Sequence, residues 1–189
     1  MQKNILNFLI VVIISFIPSL SFGQFNIYKT VEEFENKKPF RVSKEIQFMM
    51  FSKKVKLYDY RGKSEKIHRD SLWGYSHEKK GNIKYFRISQ GRSFEIEVIH
   101  DKIIMYKFVN KTVTSVNSWV LPDKAISYFF SKTLYSDLKK ITADNLRNAY
   151  KFNNRQNKKL IELSKERKLN KKNIETNVFF IIEELFGAF

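Results

Sequence analysis

The sequence predicts an α+β fold: a short N-terminal helix, an antiparallel, curled or partly open-barrel sheet of six to seven strands, and C-terminal helices. Three observations carry this. Between residues 46 and 131 apolar positions recur every second residue, the period of a strand with one buried face. Several of these strands alternate charged or polar with apolar positions, which suits a half-solvated antiparallel sheet better than a doubly buried parallel one. From Thr142 onward the apolar spacing becomes helical.

The first element is a leader. Lys3, an apolar run over residues 5–17, a helix break at Pro18-Ser19-Leu20 and small residues at Ser21 and Gly23 form a secretory signal over residues 1–23. The run is thirteen residues, whereas a bilayer-spanning helix needs about 20. No basic cluster follows as a stop-transfer signal, so a membrane anchor is the weaker reading and the mature chain has no transmembrane segment. Residues 24–189 then form a single domain, mainly β over 24–133 and mainly helical and basic over 134–189. No cysteine is present, which rules out disulfides and lipid attachment through an N-terminal cysteine. Stability must come from a core, and 43% hydrophobic residues with 18 phenylalanines can supply one.

Thr30 is placed to cap a short helix whose first turn carries Glu32 and Glu33, favourable at the positive end of the helix dipole; Asn36 to Pro39 should stop it. Candidate strands follow at 46–51, 55–60, 72–76, 83–89, 94–99, 103–109 and 125–131, joined by polar links such as "HEKKGN", "QGR" and "HDK". In "RSFEIEVIHDKIIMYKF", Phe94, Ile96 and Val98 share one face, which leaves Glu95 and Glu97 on the solvated one. In "DSLWGYSHEKKGNIKYFRI", Trp73, Gly74 and Tyr75 belong to one strand, "HEKKGN" to the turn and 83–88 to the return. Trp73, Gly74 and Tyr75 read as structural residues: a keystone tryptophan, with Gly74 relieving crowding beside it or marking a bulge. His77 falls at the edge of the turn.

Thr142 is a plausible N-cap with Asp144 in the first turn, and Leu146, Ala149, Tyr150, Asn153, Leu160 and Leu163 follow at helical spacing. The last segment, "NIETNVFFIIEELF", is apolar almost all round. It places Ile174, Val178, Ile181, Ile182 and Leu185 on one buried face.

The net charge is +16, or +15 without Lys3. Residues 139–172 hold twelve Lys or Arg against three acids. Such a charge suits an anionic partner, and Lys151, Arg155, Lys158 and Lys159 are the candidate anion-binding residues. Tyr85 and Tyr106 are candidate stacking aromatics, should the anion be a nucleic acid. The competing reading is compositional: Phe, Tyr, Ile, Asn and Lys number 89 and Gly, Ala, Arg and Pro only 21, the skew of an AT-rich genome. Lysine outnumbers arginine 27 to 8, although phosphate sites favour the arginine fork.

Catalytic chemistry finds little purchase. His68, His77 and His100 have no second histidine at i+3 or i+4 and there is no cysteine, so no metal site and no cofactor are expected. No Gly-x-Ser-x-Gly elbow and no phosphate-cradling glycine loop occurs, and no carboxylate pair is placed across a cleft. No catalytic residue is assigned.

Residues 26–39, "NIYKTVEEFENKKP", together with Ser71-Leu72-Trp73-Gly74-Tyr75 and Tyr85-Phe86-Arg87, resemble motifs of a group of small exported Bacteroidetes proteins known only as hypothetical. The segments at 128–131 and 141–146 are similar to further motifs of that group. The resemblance implies a Gram-negative envelope or secreted protein of one domain and carries no functional residue. The expected function is therefore that of a non-enzymatic exported protein. Its partner would be an anionic glycan, a lipid headgroup or an envelope protein, with nucleic acid less favoured. The alternative is an extracytoplasmic hydrolase, which would require polar side chains from separate strands to converge in a cleft.

Overall fold

The computed structural model describes residues 23–49, 52–110 and 126–187, so the expected signal over residues 1–23 lies almost wholly outside the described residues. In chain order the elements are β1 (Gln24–Tyr28), α1 (Val31–Glu35), β2 (Arg41–Ser43), β3 (Glu45–Phe48), β4 (Lys54–Tyr58), β5 (Ser64–His68), β6 (Gly74–Lys79), β7 (Asn82–Ser89), β8 (Arg92–Ile99), β9 (Ile104–Val109), β10 (Ile126–Ser131) and β11 (Lys139–Lys140). They are followed by α2 (Ala143–Ala149), α3 (Asn154–Lys165) and α4 (Phe180–Leu185). The fold is α+β and its described strand pairs are antiparallel.

Instead of one curled sheet of six or seven strands, the chain builds two sheets. Eight strands run β11-β10-β9-β8-β7-β6-β1-β2 without closing into a barrel, and β3-β4-β5 form a separate sheet. Seven of the expected strands are present with shifted ends; β1, β2, β5 and β11 are additional. Those four are short or polar. β5 is exposed at all but Ile67, and β11 is two exposed lysines, so neither carries the alternation that marks a half-buried strand.

The hairpins are tighter than expected. Lys80 and Gly81 both have positive φ (52° and 76°), as do Gln90 and Gly91 (49° and 69°), the backbone of two-residue turns whose twist matches that of the flanking strands. "HEK" therefore belongs to β6 rather than to the turn. His77 pairs with Lys84 across the strands and stacks on Phe25, the rings 4.2 Å apart and 2° from parallel.

Cross-strand partners share a face, so the registers define two faces of the large sheet. The front face carries Phe25, Ile27, Tyr75, Phe86 and Ile88, which pack with Val55 and Leu57 of the small sheet. Further along the same face, Met105 and Phe130 lie beneath Leu146, Leu160, Leu163, Ile181, Ile182 and Leu185 of the helices. The back face carries Phe94, Tyr106 and Phe129, covered by Val31 and Phe34 of α1 together with Trp73 and Leu134.

The helix ends follow local side-chain chemistry. Thr30 Oγ1 accepts from Glu33 N at 3.2 Å, and Lys37 (φ 54°) follows the Asn36 C-cap. Thr142 Oγ1 accepts from Asn145 N at 3.1 Å. The expected helical run from 142 breaks at Tyr150. Asn153 and Gln156 then form a capping box that starts α3 anew, satisfying two otherwise orphaned N–H groups. The final apolar segment forms a helix only over Phe180–Leu185. Ile174, expected on its buried face, is 99% exposed at the tip of a loop closed by a Lys172–Phe179 bridge.

Candidate functional site

The front face has two covers. Among the described residues, the small sheet packs over β1, β6 and β7 and the helices over β9 and β10, with a cavity between them. Its volume of about 450 Å³ is within the range of small-molecule sites. Its floor is aromatic: Tyr75 and Phe86 stack with centroids 4.7 Å apart, and Phe48 from β3 leans on Tyr75 at 5.7 Å. The placement follows from alternation, because Tyr75 and Phe86 are direct cross-strand partners.

Polar groups rim this floor. The Tyr75 hydroxyl shares a 2.8 Å hydrogen bond with Ser93 Oγ. Burial pushes the Tyr75 phenol above its ordinary value, opposed by the Ser93 hydrogen bond and reinforced by the Glu95 charge. Glu95 pairs with Lys84 at 2.5 Å and with Lys107 at 3.8 Å. A register shift between Ile96 and Val98 interrupts the alternation at Glu97, as bulges do when they re-aim a side chain. Glu97 takes Lys107 at 3.4 Å and Lys172, from the loop before α4, at 3.5 Å. Burial lowers the Lys107 ammonium, but Glu97 and Glu95 outweigh it and hold the group above its ordinary range. Glu95 and Glu97 were expected on a solvated face; their side chains are only 18% and 16% exposed.

Arg69 closes the other side. It follows β5 in a single 3-10 turn, Arg69–Ser71. Its Nη1 donates to Gly91 O at 2.8 Å and its Nη2 to Met49 O, and the guanidinium lies 5.4 Å from the Phe48 ring. Nε is buried and unpartnered among the described residues. Beyond Arg69 a second cleft of about 640 Å³ is lined by Lys53, Asp70 and Arg92 together with Arg69 and Gly91.

The residues expected to bind anions sit elsewhere. Arg155, Lys158 and Lys159 line a cleft between α3 and α4, and Lys151 is exposed before α3 and outside that lining. Glu162, Glu183 and Glu184 line the same cleft, and Lys159 bonds Glu184 at 3.3 Å and Glu162 at 3.7 Å. Of the stacking aromatics, Tyr106 is fully buried and cannot reach a base, while Tyr85 packs edge-on against Phe34.

The three structural residues are placed as follows. Trp73 is half-buried against Phe34 at 4.5 Å and donates from Nε1 to Leu134 O at 3.3 Å. Gly74 makes no bulge in the β6–β7 register; a Cβ there would lie 2.3 Å from the Phe86 carbonyl oxygen, so the glycine allows a close approach to the neighbouring strand. Tyr75 is a groove residue as well as a core one.

The histidines do not converge. His77 stacks on Phe25 in β6; His100, at the β8–β9 turn, faces Asp101 at 2.7 Å; and His68 lies 3.5 Å from Asp70 at the end of β5. Among the described residues no three His, Asp or Glu side chains form a metal-binding group, and no helix is long and apolar enough to cross a membrane. The groove's basic side offered one signal in sequence: Arg69 and Arg92 are two of only eight arginines, the type that anion sites favour over lysine. No protein-family model matches this chain, and no curated protein or solved structure matches it.

Proposed function

We propose that this is a non-enzymatic exported binding protein that takes its ligand in the front groove of the large sheet. The observation that carries the reading is the cavity between the two covers. An aromatic floor of Phe48, Tyr75 and Phe86 lines this cavity, rimmed by charges from β8, β9 and the β5–β6 turn. Tyr75 is buried, while Phe48 and Phe86 are only partly so. A ligand that covers the exposed part of those two rings gains a fraction of the about 1.5–3 kcal/mol that burying a whole ring contributes.

The hydrolase reading lacks an equivalent support. Glu95 and Glu97 are paired with lysines, Ser93 Oγ is engaged with the Tyr75 hydroxyl, and Ser71 Oγ donates to the His68 backbone carbonyl. Export rests on the leader-like residues 1–23. An anionic glycan, a lipid headgroup or an envelope protein remain the partner classes that the charge favours.

The test is an amide-resolved NMR titration of the mature chain with a fragment library, run beside a panel of chromogenic ester, glycoside and phosphate substrates. The reading expects shifts at Gly91, Ser93, Glu95 and Val109 and no turnover. Shifts confined to the α3–α4 cleft, or turnover of any substrate, would overturn it.

A further inference from the structure

Resting on that reading, we infer that the groove's ligand is an anion carried on a flat aromatic body, its charged group held in the Arg69–Arg92–Lys53 cleft and its ring on the Tyr75–Phe86 floor. The two cavities adjoin, with Arg69 and Gly91 lining both. They differ in chemistry. The larger carries three cations, Lys53, Arg69 and Arg92, against the single carboxylate of Asp70. The smaller has the aromatic floor.

Arg69 stands between the two cavities. A guanidinium has five N–H donors in a rigid plane, and backbone carbonyls of Gly91 and Met49 fix this one from opposite elements. Its charge meets no carboxylate among the described residues, and its Nε–H is buried without an acceptor. A half-buried cation in that state is stabilised by an incoming anion, and its preorganisation removes the ordering cost of binding. Arg92 and Lys53 likewise make no ion pair among the described residues. In the α3–α4 cleft, by contrast, three carboxylates already face the cations. Of these two clefts, the one at Arg69 therefore has the net positive lining.

The stacked Tyr75–Phe86 pair, with Phe48 tilted beside it, lines the smaller cavity with apolar ring atoms against which an aromatic body can pack. Neither half alone uses both cavities. A bare phosphate leaves the floor wet, and a neutral ring leaves Arg69 without a counter-charge.

The experiment is calorimetry at low and moderate salt, with amide NMR shifts to locate binding, using three probes: phenyl phosphate, inorganic phosphate and phenol. Phenyl phosphate is expected to bind at least about tenfold more tightly than either fragment, as one charge-assisted hydrogen bond added to ring burial would give. Its affinity should fall with salt. Arg92→Gln combined with Lys53→Gln should weaken it about tenfold while leaving phenol unchanged. Both side chains are exposed, so the fold is retained, and a thermal melt checks this. Equal binding of phenyl phosphate and phosphate, or of phenyl phosphate and phenol, would overturn the inference, as would an unaffected double variant. Phenol alone shifting Ser93 and Val109 would leave the groove reading intact and remove only the anion. Shifts outside the groove for all three probes would remove both.

Discussion

Gly74→Ala is the substitution whose effect follows most directly from geometry. The added Cβ would sit 2.3 Å from the Phe86 carbonyl oxygen and 3.3 Å from its carbon. Ordinary contact begins at 3.4 Å, so the strands must separate by about an ångström at this point. The oxygen is backbone, and rotating a side chain cannot relieve the clash. Separation strains the ladder around Gly74–Arg87, including the 2.8 Å bond from Ile88 N to Trp73 O beside it. Overpacking costs about 1–3 kcal/mol and a weakened ladder bond about 1 kcal/mol, so a loss of about 2–4 kcal/mol is expected. Replacing glycine also stiffens the unfolded chain, a gain of about 0.4–1 kcal/mol that offsets part of this. Urea unfolding should show a lower midpoint at unchanged slope, with the melting temperature down by roughly 4–10 °C. A variant within about 0.5 kcal/mol of the wild type would refute the claim that β6 and β7 touch through Gly74.

Trp73→Ala should cost about 2–3 kcal/mol, below the usual 3–5 for a fully buried tryptophan because this ring is half-exposed. Trp73→Phe should cost about 1 kcal/mol, the bond to Leu134 O, and denaturant melts of the pair separate packing from hydrogen bonding. His77 is held below its ordinary value of 6.5, first by burial and then by the nearby Lys79 ammonium. The unfolded chain therefore takes up the proton first, so the stability His77 contributes is complete above about pH 6.5 and declines as pH falls through the folded value. Imidazole proton NMR should show His77 titrating below 6.5 and moving up in Lys79→Gln; no movement in that variant would contradict the assignment.

What the sequence disclosed was what local chemistry decides. Thr30 and Thr142 announce their helices because a hydroxyl reaching an N–H three residues on is a local event. The seven alternating strands were legible for the same reason. β1 was not, although Phe25 and Ile27 alternate cleanly, because it is five residues long and acquires meaning only when inserted between β2 and β6, as when Asn26 pairs with Val42 on one side and with Ser76 on the other. The division into two sheets is equally non-local. The polar break at 150–153 conceals a capping box that the helical spacing of its neighbours masked.

The groove was illegible as a site because none of its parts is unusual. Tyr75 and Phe86 read as core, and Glu95 and Glu97 as solvated, until the cavity between the covers and the irregularity at Glu97 are known. The basic helical stretch drew attention through its charge count. Counting could not show that Glu162, Glu183 and Glu184 share the cleft of Arg155, Lys158 and Lys159.

Ligand binding in the proposed front groove is separable from binding at the basic helices by a pair of variants. The direct measurement compares two variants against the best-binding fragment of the NMR library. Ser93→Phe fills the space beside Tyr75, and Arg155→Gln with Lys158→Gln strips the α3–α4 cleft. Groove binding predicts that the filled groove loses binding while remaining folded by thermal melt, and that the helix variant binds as the wild type does. Binding that survives in Ser93→Phe and disappears with the helix charges would contradict it.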